Sequence, residues 1–200
     1  MIVYPSAIEP VNCYKSLIGS ITPRPIAFVS STSVDGVNSL APFSFFTAIS
    51  ANPSVIGFSP MITRGGHRRD RRDNIEARGE FVGNIISEDF AERMNDTAVD
   101  VLPEVDEFEL SRLTPIPCEV VSVPRVKDAR VSMECKLVQV VEISQEFLGG
   151  AFVIGEVVRF HVEDSVVDDF HIDSEKLATI GRMGGNTYAR TTDRFDMARQ

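Results

Sequence analysis

The chain has 200 residues, 43% hydrophobic and 24% charged, close to the globular average, so it can bury a sizeable core and is no disordered tract. With 29 acidic against 20 basic residues its formal charge is −9, which argues against a general nucleic-acid or anionic-membrane binder. An anionic partner should therefore be small and locally held.

The three cysteines, Cys13, Cys118 and Cys135, are odd in number and far apart, and no C-x-x-C occurs. Neither a disulfide framework nor a zinc-finger spacing is visible, so a reducing, cytoplasmic setting is expected. The opening "MIVYPSAIEPVNCYKS" lacks a basic region and a continuous apolar run, so it does not read as a signal peptide. No apolar stretch approaches the ~20 residues that span a bilayer. A single soluble domain over 1–200, without a membrane partner, is expected.

In chain order, "TPRP" keeps the approach to "IAFVSS" (26–31) extended, and that run is rich in strand formers. Asp35-Gly36 within "VDGVNS" predicts a hairpin turn. "SVIGFSP" (54–60) and "EFVGNII" (80–86) predict two further strands. Between them, 70–78 ("DRRDNIEAR") reads as a helix ended by Gly79. A second helix is predicted over 87–98, with Ser87 as N-cap and acids in its first turn. In "VSMECKL" (131–137) Met133, Cys135 and Leu137 share one face, with Glu134 and Lys136 on the other. In 151–164, Ile154, Val158, Phe160 and Val162 alternate against Val157, Arg159 and His161. The glycine-rich end, about 181–200, reads as a C-terminal arm. Strands in quick succession with short helices predict an antiparallel barrel or sandwich.

No nucleotide-loop, zinc-protease or nucleophile-elbow motif is present, and no catalytic residue is assigned. His67, His161 and His171 lack metal-ligand spacing, so no metal is expected. Two stretches carry possible ligand chemistry. The first, "GGHRRDRRDNI" (65–75), puts Arg68, Arg69, Arg71 and Arg72 at a helix N-terminus, with Arg64 just before. Free backbone N–H groups and the dipole favour an anion there, and guanidinium forks match phosphate. A second reading pairs these arginines with the protein's own surplus carboxylates. The other stretch, 30–50, is rich in Ser and Thr; its hydroxyls either line a cleft for a planar ligand or face water.

These motifs, taken in order, resemble the flavin reductase-like family of FMN-binding split-barrel proteins, including flavoredoxin-type members. The resemblance rests on "TPRP", the D-G-x-N hairpin, "APFSFF", the "RDRRDNI" segment, "ECKL", "GEVVRFHVED" and "GRMGGNTYAR". It implies a mainly β fold, a six-stranded antiparallel Greek-key split barrel with short helices. It also implies a homodimer with FMN near the interface. By position, Ser30, Ser31 and Thr32 would border the isoalloxazine edge, followed by Ser44, Phe45 and Thr47 on the adjacent segment. Arg69, Asp70 and Asn74 fall in the phosphate-side motif. Arg71 stands where the family has Thr, and its guanidinium could replace that hydroxyl. Arg182 and Tyr188 could reach the pocket from the tail.

The resemblance implies an NAD(P)H-dependent FMN reductase-like oxidoreductase, with NADH or NADPH as donor and a small-molecule or protein acceptor. The cofactor then carries the redox chemistry, which fits the absence of a triad or paired carboxylates. Two other readings stand beside it. One is a non-catalytic FMN-binding electron carrier between protein partners. The other is a nucleic-acid module, which the missing basic surface disfavours. His161 sits either at the open face of the ring or on the barrel exterior.

Overall fold

The computed structural model describes residues 1–62, 68–99 and 101–198, with residues 68–70 described through their helical backbone alone. The main strands are β1 (Ala27–Thr32), β2 (Asn38–Phe43), β3 (Phe46–Ala51), β4 (Ser54–Phe58) and β5 (Glu80–Ile85). Short β6 (Pro115–Ile116) and β7 (Arg125–Val126) precede the long pair β8 (Val131–Ser144) and β9 (Gly150–Val162). Beyond them β10 (Val167–Asp168) pairs with β11 (His171–Ile172), and β12 (Ile180–Arg182) with β13 (Tyr188–Arg190). The helices are α1 (Pro10–Ser20), α2 (Arg68–Arg78), α3 (Ala91–Asp96), α4 (Glu107–Ser111) and α5 (Ser174–Leu177).

The main sheet is antiparallel in the order β2-β1-β5-β8-β9-β4-β3. Its two outermost strands, β2 and β3, are separated only by Ser44 and Phe45. Strands that adjoin in sequence yet end opposite sides of a sheet require the sheet to curl until its edges meet. The expected six strands and the observed seven are reconciled by that bend: residues 38–51 form one extended segment divided between the two edges. At the division the Phe45 carbonyl accepts from the Ser59 N–H at 2.8 Å.

The Asp35-Gly36 turn forms as predicted, with Gly36 at φ 89° and Ser33 N–H bonded to the Val37 carbonyl at 2.8 Å. Strand β1 is buried along its whole length because it is covered on both faces. Ala27 and Val29 join the inner core with Phe43, Phe58, Phe81, Met133 and Cys135. Within it Phe58 meets Phe43 at 4.9 Å and Phe81 edge-on at 5.4 Å. On the other face Phe28 packs with Leu40, Phe90, Met94 and Phe108, the last three supplied by 88–96 and α4.

Helix α2 ends where predicted, with Gly79 at φ 69° and its N–H on the Ile75 carbonyl at 2.8 Å. The helix predicted over 87–98 is shorter: a 3-10 turn at Glu88–Phe90 leads into α3. Ser87 makes no cap hydrogen bond; its hydroxyl is buried without a partner among the described residues. The face expected for β9 is also revised. Val153 and Val157 enter the core, whereas Val158 and Phe160 are exposed. The β8–β9 pairing slips from Glu134↔Arg159 to Cys135↔Val157, so Val158 is an extra bulged residue and the alternation changes side.

On β8 the polar face is covered too. Glu134 is fully buried, accepting from the N–H groups of Glu119, Val120 and Val121 at 3.1, 2.7 and 2.8 Å. Glu80 on β5 accepts from the Ser122 N–H and hydroxyl and pairs with Lys136 at 2.7 Å. Two buried carboxylates therefore hold residues 119–122 against the sheet.

Burial alone would push the Glu80 carboxyl up, but its bonds from Lys136 and Ser122 hold it below the usual range. A depressed carboxylate stabilises the fold above its unfolded value of about 4.3, and that contribution fades as pH falls through the folded value. Glu80→Gln should therefore melt lower than the parent at pH 7, and the gap should close in acid. A gap constant across the thermal-melt series would contradict this role.

Candidate functional site

The site is organised by a residue of the "TPRP" segment that the sequence reading used only for its prolines. Arg24 is 4% exposed. Its Nη1 donates to the carbonyls of Ile18 (2.7 Å) and Ile21 (2.8 Å), Nη2 to that of Met183 (2.9 Å), and Nε to Ser44 Oγ (3.4 Å). Its backbone also pairs with that of Arg182, N–H to carbonyl in both directions at 2.9 and 2.8 Å. No carboxylate pairs with Arg24 among the described residues; the C-terminal end of α1, where carbonyls carry partial negative charge, compensates it instead. Burial, opposed by Tyr14 and reinforced by Arg182, lowers its pKa, yet a guanidinium stays charged.

One cation thus ties α1, the Ser44–Phe45 bend and the β12–β13 hairpin together. Where they meet lies a cavity of about 130 Å³ lined by Tyr14, Ser44, Phe45, Ser59, Arg182 and Tyr188, among others. A larger cleft of about 800 Å³ between α3 and the hairpin shares Asn95, Arg182 and Tyr188 with it. The Arg182 guanidinium lies 4.4 Å from the Tyr188 ring centroid and donates to the Gly185 carbonyl at 2.7 Å. The Tyr188 hydroxyl donates to Asn95 Oδ1 at 3.2 Å. Apolar walls from Ile26, Phe43, Met61 and Met94, with hydroxyl, amide and guanidinium groups between, suit a flat ligand with polar edges.

The structure gathers Ser44, Phe45, Arg182 and Tyr188 here and distributes the other predicted residues elsewhere. Ser30 is fully buried and donates to the Pro124 carbonyl at 2.5 Å. Buried Ser31 pairs across β1–β2 with Ser39, and the Thr32 hydroxyl donates to Asn38 Oδ1 at 3.1 Å. Thr47 is exposed on β3 and bonds its neighbour's carbonyl, that of Ala48. Asn74 and Arg71 line a cavity of about 50 Å³ with Ser33, Ser39 and Glu107. The Arg71 guanidinium pairs with Glu107, both buried, while the other Glu107 oxygen accepts from Ser39 Oγ and the Leu40 N–H at 2.7 Å each. Arg72 pairs with Glu76 and Glu142. Arg64 and His67 lie outside the described residues, as do the side chains of Arg68, Arg69 and Asp70. The reading in which arginines pair with the chain's own carboxylates therefore holds for Arg71 and Arg72.

His161 is half-buried and bonded to Glu134, away from this cavity. The sequence did not mark Arg24 or Glu107, nor the cavity-lining Tyr14, Ser59 and Asn95. The only signal for Arg24 was its place in "TPRP", and Glu107 stood in an acidic run with nothing to mark it as buried.

If Arg24 is the tie, Arg24→Met leaves three buried carbonyls short of a donor and should lose about 3 kcal/mol or more in chemical denaturation. Arg24→Lys should recover part of that loss. An unchanged denaturation midpoint for Arg24→Met would contradict the assignment.

Comparison with known proteins places this geometry in a family. The "Flavin reductase like domain" matches residues 19–178. The fold superposes on nitrilotriacetate monooxygenase component B from Bacillus cereus with a TM-score of 0.93 at 38% identity, covering 98% of both chains. It also superposes on 2-nitrobenzoate 2-nitroreductase of Pseudomonas fluorescens, with a TM-score of 0.90 at 29% identity, covering 100% of this chain and 96% of the other. A split-barrel protein assigned to the flavin reductases, from Shewanella frigidimarina, shares the fold with a TM-score of 0.84 at 23% identity, covering 98% and 96%. The curled sheet, split at Ser44–Phe45, is thus a split barrel, and the chain belongs to the flavin reductase-like domain family.

Proposed function

We propose that this chain is a flavoprotein oxidoreductase that binds FMN and takes electrons from NADH or NADPH. The observation that carries the reading is the family match together with the mixed apolar and polar cavity at the barrel's split. The donor set fits the cofactor: aromatic and aliphatic walls suit a planar ring, while Ser44, Ser59, Asn95 and Arg182 offer groups for its polar edge. When bound, the flavin supplies hydride and electron transfer.

The chain's part is to bind, orient and shield. Phe45 and Tyr188 supply ring surface, Ser44 supplies a hydroxyl at the split, and Arg182 supplies positive charge. Ser31, Thr32 and Thr47 lie outside that cavity's lining and stand as flavin contacts on the family resemblance alone. Arg69, Asp70 and Asn74 are assigned to the phosphate end by the family motif, and Asn74 lines the separate cavity beside Arg71. Arg71 serves it through Glu107, whose two carboxylate oxygens tie α2 to β2. Ser30, committed to Pro124, contributes position rather than a ligand contact.

The acceptor is a small molecule or a protein partner, a range supported by the redox names of the relatives at 38% and 29% identity. The working unit is a homodimer with the flavin site near the interface. Apolar groups exposed on the sheet support it: Ile49 on the outermost strand β3, and Val138 (57% exposed) and Ile143 (72%) on the central strand β8. Three free thiols support a reducing, cytoplasmic setting.

One experiment tests the reading. FMN is added to the purified protein, and the flavin absorbance is followed through sedimentation and then on anaerobic mixing with NADH or NADPH. Flavin colour should travel at twice the chain mass and bleach on mixing. Colour that stays at the solvent front removes the FMN proposal. Bound colour that neither nicotinamide bleaches removes the reductase and leaves an electron carrier.

A further inference from the structure

A second cluster of chemistry lies outside the cavity. Cys118, on the loop after β6, Glu134 on β8 and His161 on β9 each bring one donor atom to a common point, with those atoms all within 4.8 Å of one another. Spacings of sixteen and twenty-seven residues match no metal motif, so the set emerges only when the loop folds over the β8–β9 pair.

Glu134 is already oriented as a ligand would be. Three backbone N–H groups, those of Glu119, Val120 and Val121, hold its two oxygens, Oε1 taking one and Oε2 two. A carboxylate has about four acceptor positions, so one remains on Oε1, and His161 Nε2 meets it at 2.6 Å. Backbone support of this kind is what fixes a carboxylate ligand and sharpens its geometry. The thiol completes a sulfur, nitrogen and oxygen set on three separate elements.

We infer that Cys118, Glu134 and His161 form a site for a divalent zinc-type cation. One thiolate, one imidazole and one carboxylate is a borderline-soft set, which suits Zn²⁺ over Mg²⁺ or Ca²⁺. Three protein ligands leave a fourth position for water or an anion. Access is provided on the His161 side, which lines a cavity of about 430 Å³ together with Arg125, Lys127, Arg130 and Glu163. The cationic groups there favour an anionic fourth ligand. The cation takes the place of the Cys118 thiol proton, which is released to solvent, and binds His161 through Nε2. Metal binding is therefore coupled to proton release.

The simpler use of the same residues is a hydrogen bond between His161 on β9 and the Glu134 that holds the loop, in which Cys118 takes no part. Co²⁺ distinguishes the two. Titrated into the purified full chain, it should produce a sulfur-to-cobalt charge-transfer band and ligand-field bands to the red of any flavin absorption. Equilibrium dialysis should find one Zn²⁺ per chain. Cys118→Ser and His161→Ala should each abolish the charge-transfer band or weaken Zn²⁺ by at least ~100-fold, the upper range for merely disturbing a ligand's support. Cys13→Ser should leave both signals unchanged. Cys118→Ser should melt like the parent without metal, so that lost binding is not lost folding. Absence of the cobalt–thiolate band in the parent, or Zn²⁺ affinity unchanged in both variants, overturns the site.

Discussion

A buried cation bonded to carbonyl and hydroxyl oxygens holds this molecule's candidate site together. Removing a guanidinium from water is costly, and Arg24 offsets that cost by satisfying the carbonyls of Ile18, Ile21 and Met183 at once. Those groups come from the end of α1 and from the approach to β13, segments more than 150 residues apart in the chain. A carboxylate partner would have neutralised Arg24 within one element. Carbonyl partners instead oblige several elements to converge, and Ser44 at the barrel's split is among the groups they bring into reach.

The split itself follows from topology. One extended segment supplies both edges of the sheet, and the chain must leave the ladder for two residues to pass between them. Backbone and side chains released from sheet pairing become available to a ligand, which is why a cavity sits at the interruption rather than within the closed wall. The same economy explains the buried carboxylates. Glu107, Glu80 and Glu134 each use one side chain to fix a stretch lacking long strands of its own, respectively α2 with β2, Ser122, and residues 119–121. An acidic composition is thus partly internal wiring, and two of the clustered arginines, Arg71 and Arg72, find their partners within it.

Much of the fold was legible because local patterns sufficed. The Asp35-Gly36 hairpin, Gly79 after α2 and the inward set Met133, Cys135 and Leu137 all depend on neighbours within a few residues. What could not be read depends on distant packing. A bulge at Val158 reverses a face, and no periodicity announces it in advance. Glu134 alternated onto an apparently solvent-facing side, and only the loop folded across it makes that side interior. The site was legible in part for the same reason. Ser44, Phe45, Arg182 and Tyr188 converge, whereas hydroxyl-rich β1 divides its residues between two covered faces and sends Ser30 to Pro124. Arg24 escaped notice because a buried arginine satisfied by carbonyls leaves no partner residue to recognise.

We propose the interruption at Ser44–Phe45, held by Arg24 against the β12–β13 hairpin, as the place where the flavin binds. Hydrogen exchange of the full chain with and without FMN tests it most directly, because exchange reports each segment separately. Protection should rise at 44–46, along α2 and across 180–190, with the loop at 118–122 unchanged. Equal protection in both samples at 44–46 and 180–190, with changes elsewhere, would contradict the account.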